Sequence, residues 1–178
     1  MRSLIIILGL ILVSSCASVG TGKKRSVEQL IKDENLEATA LQNLFSDEDL
    51  WDNSSIEVIS FHNTVLLVGQ TPTKSLKDKA KQVLMKVEGV KRIHNEIRVS
   101  APTSSLTYLS DVSITSKVKT SLFTEEDFDS SQIKVVTEDG EVFLLGSVNK
   151  ATAKKAVEIT RNVSGVKKVI SVFEIVQE

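Results

Sequence analysis

Val65-Leu66-Leu67-Val68-Gly69 returns later in the chain as Val142-Phe143-Leu144-Leu145-Gly146. In both places the run is apolar at every position before a closing glycine. A strand with one face in water alternates apolar and polar residues, so a strand apolar throughout is expected to be buried on both faces. Reading outward, Leu44-Phe45-Ser46-Asp47-Glu48-Asp49-Leu50 recurs as Leu122-Phe123-Thr124-Glu125-Glu126-Asp127-Phe128. Gly89-Val90 with Ile93, Ile97 and Val99 recurs as Gly165-Val166 with Val169, Phe173 and Ile175. Three blocks in one order and at nearly constant spacing indicate a duplicated unit.

Each copy reads as helix, strand, strand, helix, strand. Ile114, Val118 and Leu122 mark the inward face of one first helix, capped by Ser110 or Asp111; Leu36, Ala40 and Leu44 mark the other. Asp139-Gly140 is a favoured type I′ hairpin turn, and His62-Asn63 stands in its place in the first copy. Thr71-Pro72 and Asn149 open the second helices as caps, and Gly89 and Gly165 are expected at their C′ positions. A strand–helix–strand crossover is right-handed, so the third strand should run parallel to the second. The expected fold is therefore α+β: two tandem αββαβ domains, each a three-stranded mixed sheet with two helices on one face. The sheet face away from the helices needs a cover, and the other copy is the candidate.

The first residues are a targeting signal. Arg2 precedes the apolar run Leu4 to Val13, which is too short for a membrane span, and Val13-Ser14-Ser15-Cys16 resembles a lipobox. This resemblance implies cleavage before Cys16 and acylation of that residue, the only cysteine of the chain. Ala17 after it, in place of an inner-membrane-retaining aspartate, implies the periplasmic leaflet of the outer membrane. The boundaries read as signal peptide 1–15, lipidated tether 16–26, first domain 27–100, linker 101–106 and second domain 107–178.

Composition sets further bounds. The formal charge is −1 over 178 residues and aromatics make up 4%, so nucleic acid is not an expected partner. His62 and His94 are the only histidines and no Cys/His cluster exists, so no metal is expected. No nucleophile elbow, phosphate loop or dinucleotide fingerprint is present, so neither catalytic residues nor cofactors are expected. The acidic runs after Ser46 and Thr124 read as capping boxes. Trp51 reads as packing between elements.

Gly140-Glu141-Val142-Phe143-Leu144-Leu145-Gly146, Gly165-Val166-Lys167-Lys168-Val169 and their first-copy counterparts resemble the BON domain. A lipobox followed by two such domains is similar in layout to the dual BON-domain outer-membrane lipoproteins. The resemblance implies a non-enzymatic role in envelope integrity, with anionic phospholipid bound on the first helix of the second domain. Carried onto this chain, that surface comprises Val112, Ser113, Ile114, Lys117, Lys119 and Thr120. The lysines would meet phosphates and Val112 the acyl boundary. The family pattern has a tryptophan where this chain has Ser113. Two other readings stay open: an adaptor docking to outer-membrane protein assembly machinery or a secretion complex through a sheet edge, and a periplasmic holdase.

Overall fold

The computed structural model describes residues 26–177. Signal peptide, Cys16 and most of the tether lie outside the described residues.

The first domain runs α1 (Val27–Phe45), α2 (Glu48–Asn53), β1 (Ser55–Phe61), β2 (Thr64–Thr71), α3 (Lys74–Leu84), β3 (Arg92–Asn95) and β4 (Arg98–Val99). The second runs α4 (Ser105–Thr124), a 3₁₀ turn (Ser130–Gln132), β5 (Ile133–Glu138), β6 (Glu141–Val148), α5 (Lys150–Arg161) and β7 (Lys168–Ile175). β1 and β5 pair antiparallel with β2 and β6, and β3/β4 and β7 pair parallel with the same central strands. β3 and β4 keep one register against β2, Leu67 opposite Asn95 and Gln70 opposite Arg98, so they are a single strand interrupted at Glu96–Ile97. The Asn95 side chain accepts from the Ile97 amide and donates to the Lys77 carbonyl, which holds the break open.

Both hairpin turns have two consecutive residues at positive φ, His62 (47°) and Asn63 (65°), then Asp139 (48°) and Gly140 (75°). That is the type I′ conformation, whose twist matches the flanking strands.

The central strands explain the architecture. All eight residues of β2 are buried. Val65 and Leu67 pack under α1 and α3 with Leu36, Ala40, Leu44, Ala80 and Leu84. Val142 and Leu144 pack under α4 and α5 with Ile114, Val118, Leu122 and Ala156. Leu66 and Val68 face the other way and meet Phe143 and Leu145, with Ile59, Phe61, Val136 and Val172 completing a third core. Each sheet is thus the cover of the other. The layers run helix, sheet, sheet, helix, and the duplicated unit buries in its partner the face its own helices leave open.

Charged and polar pairs rim this shared core. Lys134 reaches Glu37 at 2.5 Å, Arg92 reaches Glu174 at 3.0 Å, and Arg98 pairs with Asp139 and, at 3.1 Å, with Glu141. The Gln70 amide donates to Glu138, and its oxygen accepts from the Thr103 amide at 3.2 Å.

Several local expectations are corrected. α4 begins at Ser105 with Ser104 as cap, accepting from the Thr107 amide, rather than at Ser110 or Asp111. The helix thereby takes the last two residues read as linker. α3 is capped by Thr73, not Thr71; Thr71 ends β2, and Pro72 lies between strand and cap. Gly89 (φ 91°) and Gly165 (φ 98°) do take the left-handed region, but several residues past the helix ends. Each is the third residue of a turn closed by Val90 N to Val87 O or Val166 N to Val163 O, where a type II turn requires positive φ. Asp47, not Ser46, caps α2, while Thr124 returns its hydroxyl to the Thr120 carbonyl.

Candidate functional site

A helix laid on a sheet normally carries one apolar stripe inward and polar residues outward. α4 departs from that rule. Asp111, Ile114, Val118 and Leu122 are buried beneath it. Yet Leu106 (79%), Tyr108 (66%), Leu109 (62%), Val112 (47%) and Phe123 (79%) are exposed. At about 100° per residue, Leu109, Val112, Ser113, Ser116, Thr120 and Phe123 form one outward ridge opposite the buried stripe. Lys117 falls on the flank toward α5 and Lys119 on the flank away from it. Both are exposed, and among the described residues neither has an ion-pair partner.

Two of the three ridge hydroxyls, and that of Thr124 beyond them, are tied to the helix backbone. Ser116 Oγ donates to the Val112 carbonyl at 2.9 Å, Thr120 Oγ1 to the Ser116 carbonyl at 2.9 Å, and Thr124 Oγ1 to the Thr120 carbonyl at 3.0 Å. With these protons returned to the helix backbone, only the Ser113 hydroxyl of the ridge still gives its proton to solvent. Beside it, a groove of about 1060 Å³ runs between α4 and α5, with Lys117, Ser121, Lys154, Lys155, Glu125 and Glu158 in its walls.

Of the residues expected to form the lipid surface, Val112, Ser113, Lys117, Lys119 and Thr120 lie on the exposed part of α4. Ile114 does not. It is 4% exposed and sits over Gly165, where an added Cβ would approach its Cγ1 to 3.0 Å. Helical spacing places it inward with Val118 and Leu122, so it anchors the helix and cannot touch an external ligand. Leu106, Tyr108, Leu109 and Phe123 were missed; the apolar Leu106-Thr107-Tyr108-Leu109 run directly after the small-residue stretch was the signal for three of them.

His62 lies in the β1–β2 turn and His94 in β3; among the described residues no three metal-ligating side chains gather. No helix among those residues is long and apolar enough to cross a membrane. Trp51 is not packed between elements. It lies on α2, 57% exposed, edge-on to Phe45 with ring centroids 4.4 Å apart.

The repeated units find their counterpart in known sequences. The sequence pattern of the BON domain matches residues 32–101 and again 110–177. The chain belongs to the BON-domain family. It is 39% identical to the 21 kDa hemolysin of Actinobacillus pleuropneumoniae over 153 residues, 86% of this chain and 79% of that protein. Identity to the outer membrane lipoprotein DolP of Haemophilus influenzae is 36% over 158 residues, 89% and 81% of the two chains. Osmotically-inducible protein Y of Escherichia coli is 32% identical over 126 residues, 69% of this chain and 63% of that one.

Within this chain the two BON domains act as controls for each other. Their first helices keep the inward positions in chemical kind: Asp33 and Asp111, Leu36 and Ile114, Ala40 and Val118, Leu44 and Leu122. Outward they share exposed apolar residues at Ile31 and Leu109 and at Phe45 and Phe123, and differ elsewhere. Glu34 stands where BON domain 2 has Val112, Thr39 where it has Lys117, and Leu41 where it has Lys119.

Proposed function

We propose that this BON-domain protein is a non-enzymatic lipoprotein of the cell envelope that maintains envelope integrity. It is held to the outer membrane by acyl chains on Cys16, and BON domain 2 meets anionic phospholipid through α4. The outward divergence of α4 from α1 carries the reading. Packing accounts for the inward positions the two helices share, and leaves Val112, Lys117 and Lys119, which α1 lacks, unexplained by the fold. A ridge of Leu109, Val112 and Phe123 in which Ser116 and Thr120 bond back to the helix suits the boundary between headgroups and acyl chains, and flanking lysines suit the phosphates on either side. Tyr108 supplies an amphipathic ring of the kind enriched at that boundary, five residues before Ser113 on the same helix. The relative named as an outer membrane lipoprotein supports the address.

Co-sedimentation of the lipid-free domain pair, residues 26–178, with vesicles tests the lipid contact. Binding should require phosphatidylglycerol or cardiolipin and vanish on phosphatidylcholine alone. Lys117→Glu with Lys119→Glu should weaken it by at least about thirtyfold, since each lysine near an anionic surface contributes about 1 kcal/mol and the new carboxylates add repulsion. Unchanged binding by that double variant contradicts the proposal. Mass spectrometry of the exported chain tests the anchor separately: a free Cys16 thiol rules it out.

A further inference from the structure

BON domain 1 carries an exposed aromatic pair that its fold does not require. The acidic loops after α1 and α4 are held alike, by a lysine from the second helix of each domain. Lys79 bridges Asp47 at 2.7 Å and Asp49 at 2.8 Å, and Lys155 reaches Glu125 at 3.0 Å. The apolar residue closing each loop is Leu50 in one domain, 2% exposed, and the half-buried Phe128 in the other. The next position is Trp51 in BON domain 1 and Asp129 in BON domain 2. The loop therefore closes without an aromatic at this place, and Trp51 lies edge-on to Phe45 at the surface, the two rings 57% and 49% exposed.

The surroundings select the occupant. Glu48, Asp49 and Asp52 are exposed on the same short helix as Trp51, Glu48 three residues before it and Asp52 next to it, and Lys79 already answers Asp47 and Asp49. An anionic lipid surface is repelled by such a collar, although tryptophan alone would suit a membrane interface. A cationic group is attracted by it, and a guanidinium can stack on the indole while pairing with a carboxylate. We propose that Phe45 and Trp51, with Glu48 and Asp52, form a docking site for a cationic, arginine-bearing segment of a partner protein. The site belongs to the outer helical layer opposite the one that carries α4, so a partner there and a membrane at α4 do not compete. This inference does not depend on the lipid reading.

Trp51 is the only tryptophan and reports directly on the site. The full-length protein in a neutral detergent is titrated with hexa-arginine, with hexa-glutamate as the control. Saturable change of Trp51 emission with hexa-arginine alone is expected. By calorimetry, Trp51→Ala should weaken binding about tenfold, and Glu48→Gln with Asp52→Asn should weaken it similarly while leaving the Lys79 bridges in place. Thermal unfolding, which should be near wild type for all three changes, verifies that the variants fold. Absence of an emission change, or equal affinity of the Trp51→Ala protein, overturns the proposal. So does protection of Trp51 from acrylamide by phosphatidylglycerol vesicles that hexa-arginine does not reverse, which would make the patch a membrane contact.

Discussion

The Asp111 carboxylate accepts a hydrogen bond of 2.8 Å from the backbone amide of Gly140, tying the first helix of BON domain 2 to its hairpin turn. Its other oxygen accepts from the Asp139 amide at 2.7 Å. In BON domain 1, Asp33 accepts from the His62 amide at 2.9 Å. A type I′ turn leaves amides pointing away from the strand ladder, and a buried helix-borne carboxylate collects them. Asp111→Ala should therefore cost about 2–4 kcal/mol, the range for charge-assisted bonds whose buried donors are left unmet. Denaturant unfolding measures it, and Asp33→Ala should shift in the same direction.

The shared core makes the two domains one cooperative unit. Phe143 is 1% exposed and lies between the sheets with Phe61 and Leu66. Phe143→Ala should cost about 3–5 kcal/mol. It should also split a single calorimetric transition into two, because it removes the contact that couples the domains. A single transition at reduced temperature would show coupling carried by the ionic rim instead.

The domain interface is also expected to respond to pH. Glu57 is exposed as a residue, but partial desolvation of its carboxyl at the rim pushes it above its ordinary 4.5, with Glu138 and Glu37 adding repulsion and Lys134 opposing. Burial likewise raises Glu138; the Gln70 hydrogen bond and Arg98 oppose this, while Asp111 and Asp139 reinforce it. A carboxyl raised in the folded state binds its proton more tightly there, so folding gains stability as pH falls through the raised value and the gain is complete below 4.5. Asp139 has the opposite sign: its hydrogen bond to Lys167, aided by Arg98, holds it below 3.8, and that contribution is lost on further acidification. Stability measured from neutral pH downward should rise and then fall. Glu57→Gln with Glu138→Gln should flatten the rise.

The closing glycines of the repeated strands differ in what they tolerate. A Cβ on Gly69, at φ 109°, would lie 2.0 Å from the Ser55 carbonyl oxygen. On Gly146 it would lie 2.7 Å from the Gln132 carbonyl oxygen and 3.1 Å from the Phe173 ring, without a left-handed backbone. Gly69→Ala should cost on the order of 3 kcal/mol or more, from strain and clash together, and Gly146→Ala less. Thermal unfolding of the two variants checks the order.

Much of this fold was legible because the residues that decide it are apolar and repeated. Val65 to Val68 and Val142 to Leu145 demanded cover on both faces, and each sheet covers the other. The start of α4 was not legible, since Leu106, Tyr108 and Leu109 point outward and break the inward periodicity, while Ser110 and Asp111 imitate a cap. Asp111 was misplaced for the same reason: its partners are backbone amides distant in sequence, which no local pattern reveals. Ile114 entered the lipid surface by resemblance although its spacing already placed it in the core. Trp51 was assigned to packing because tryptophan usually is buried, and only the structure shows Leu50 in that role.

Placement of the lipid contact on α4 is tested most directly by an indole on its outward ridge. Leu109→Trp in a Trp51→Phe background is compared, in vesicles containing brominated phosphatidylglycerol, with Ile31→Trp, the matching position on α1. The account predicts a blue-shifted, bromine-quenched emission at position 109 and a water-exposed, unquenched one at position 31. Emission from position 109 that stays water-exposed while the protein is vesicle-bound would contradict it.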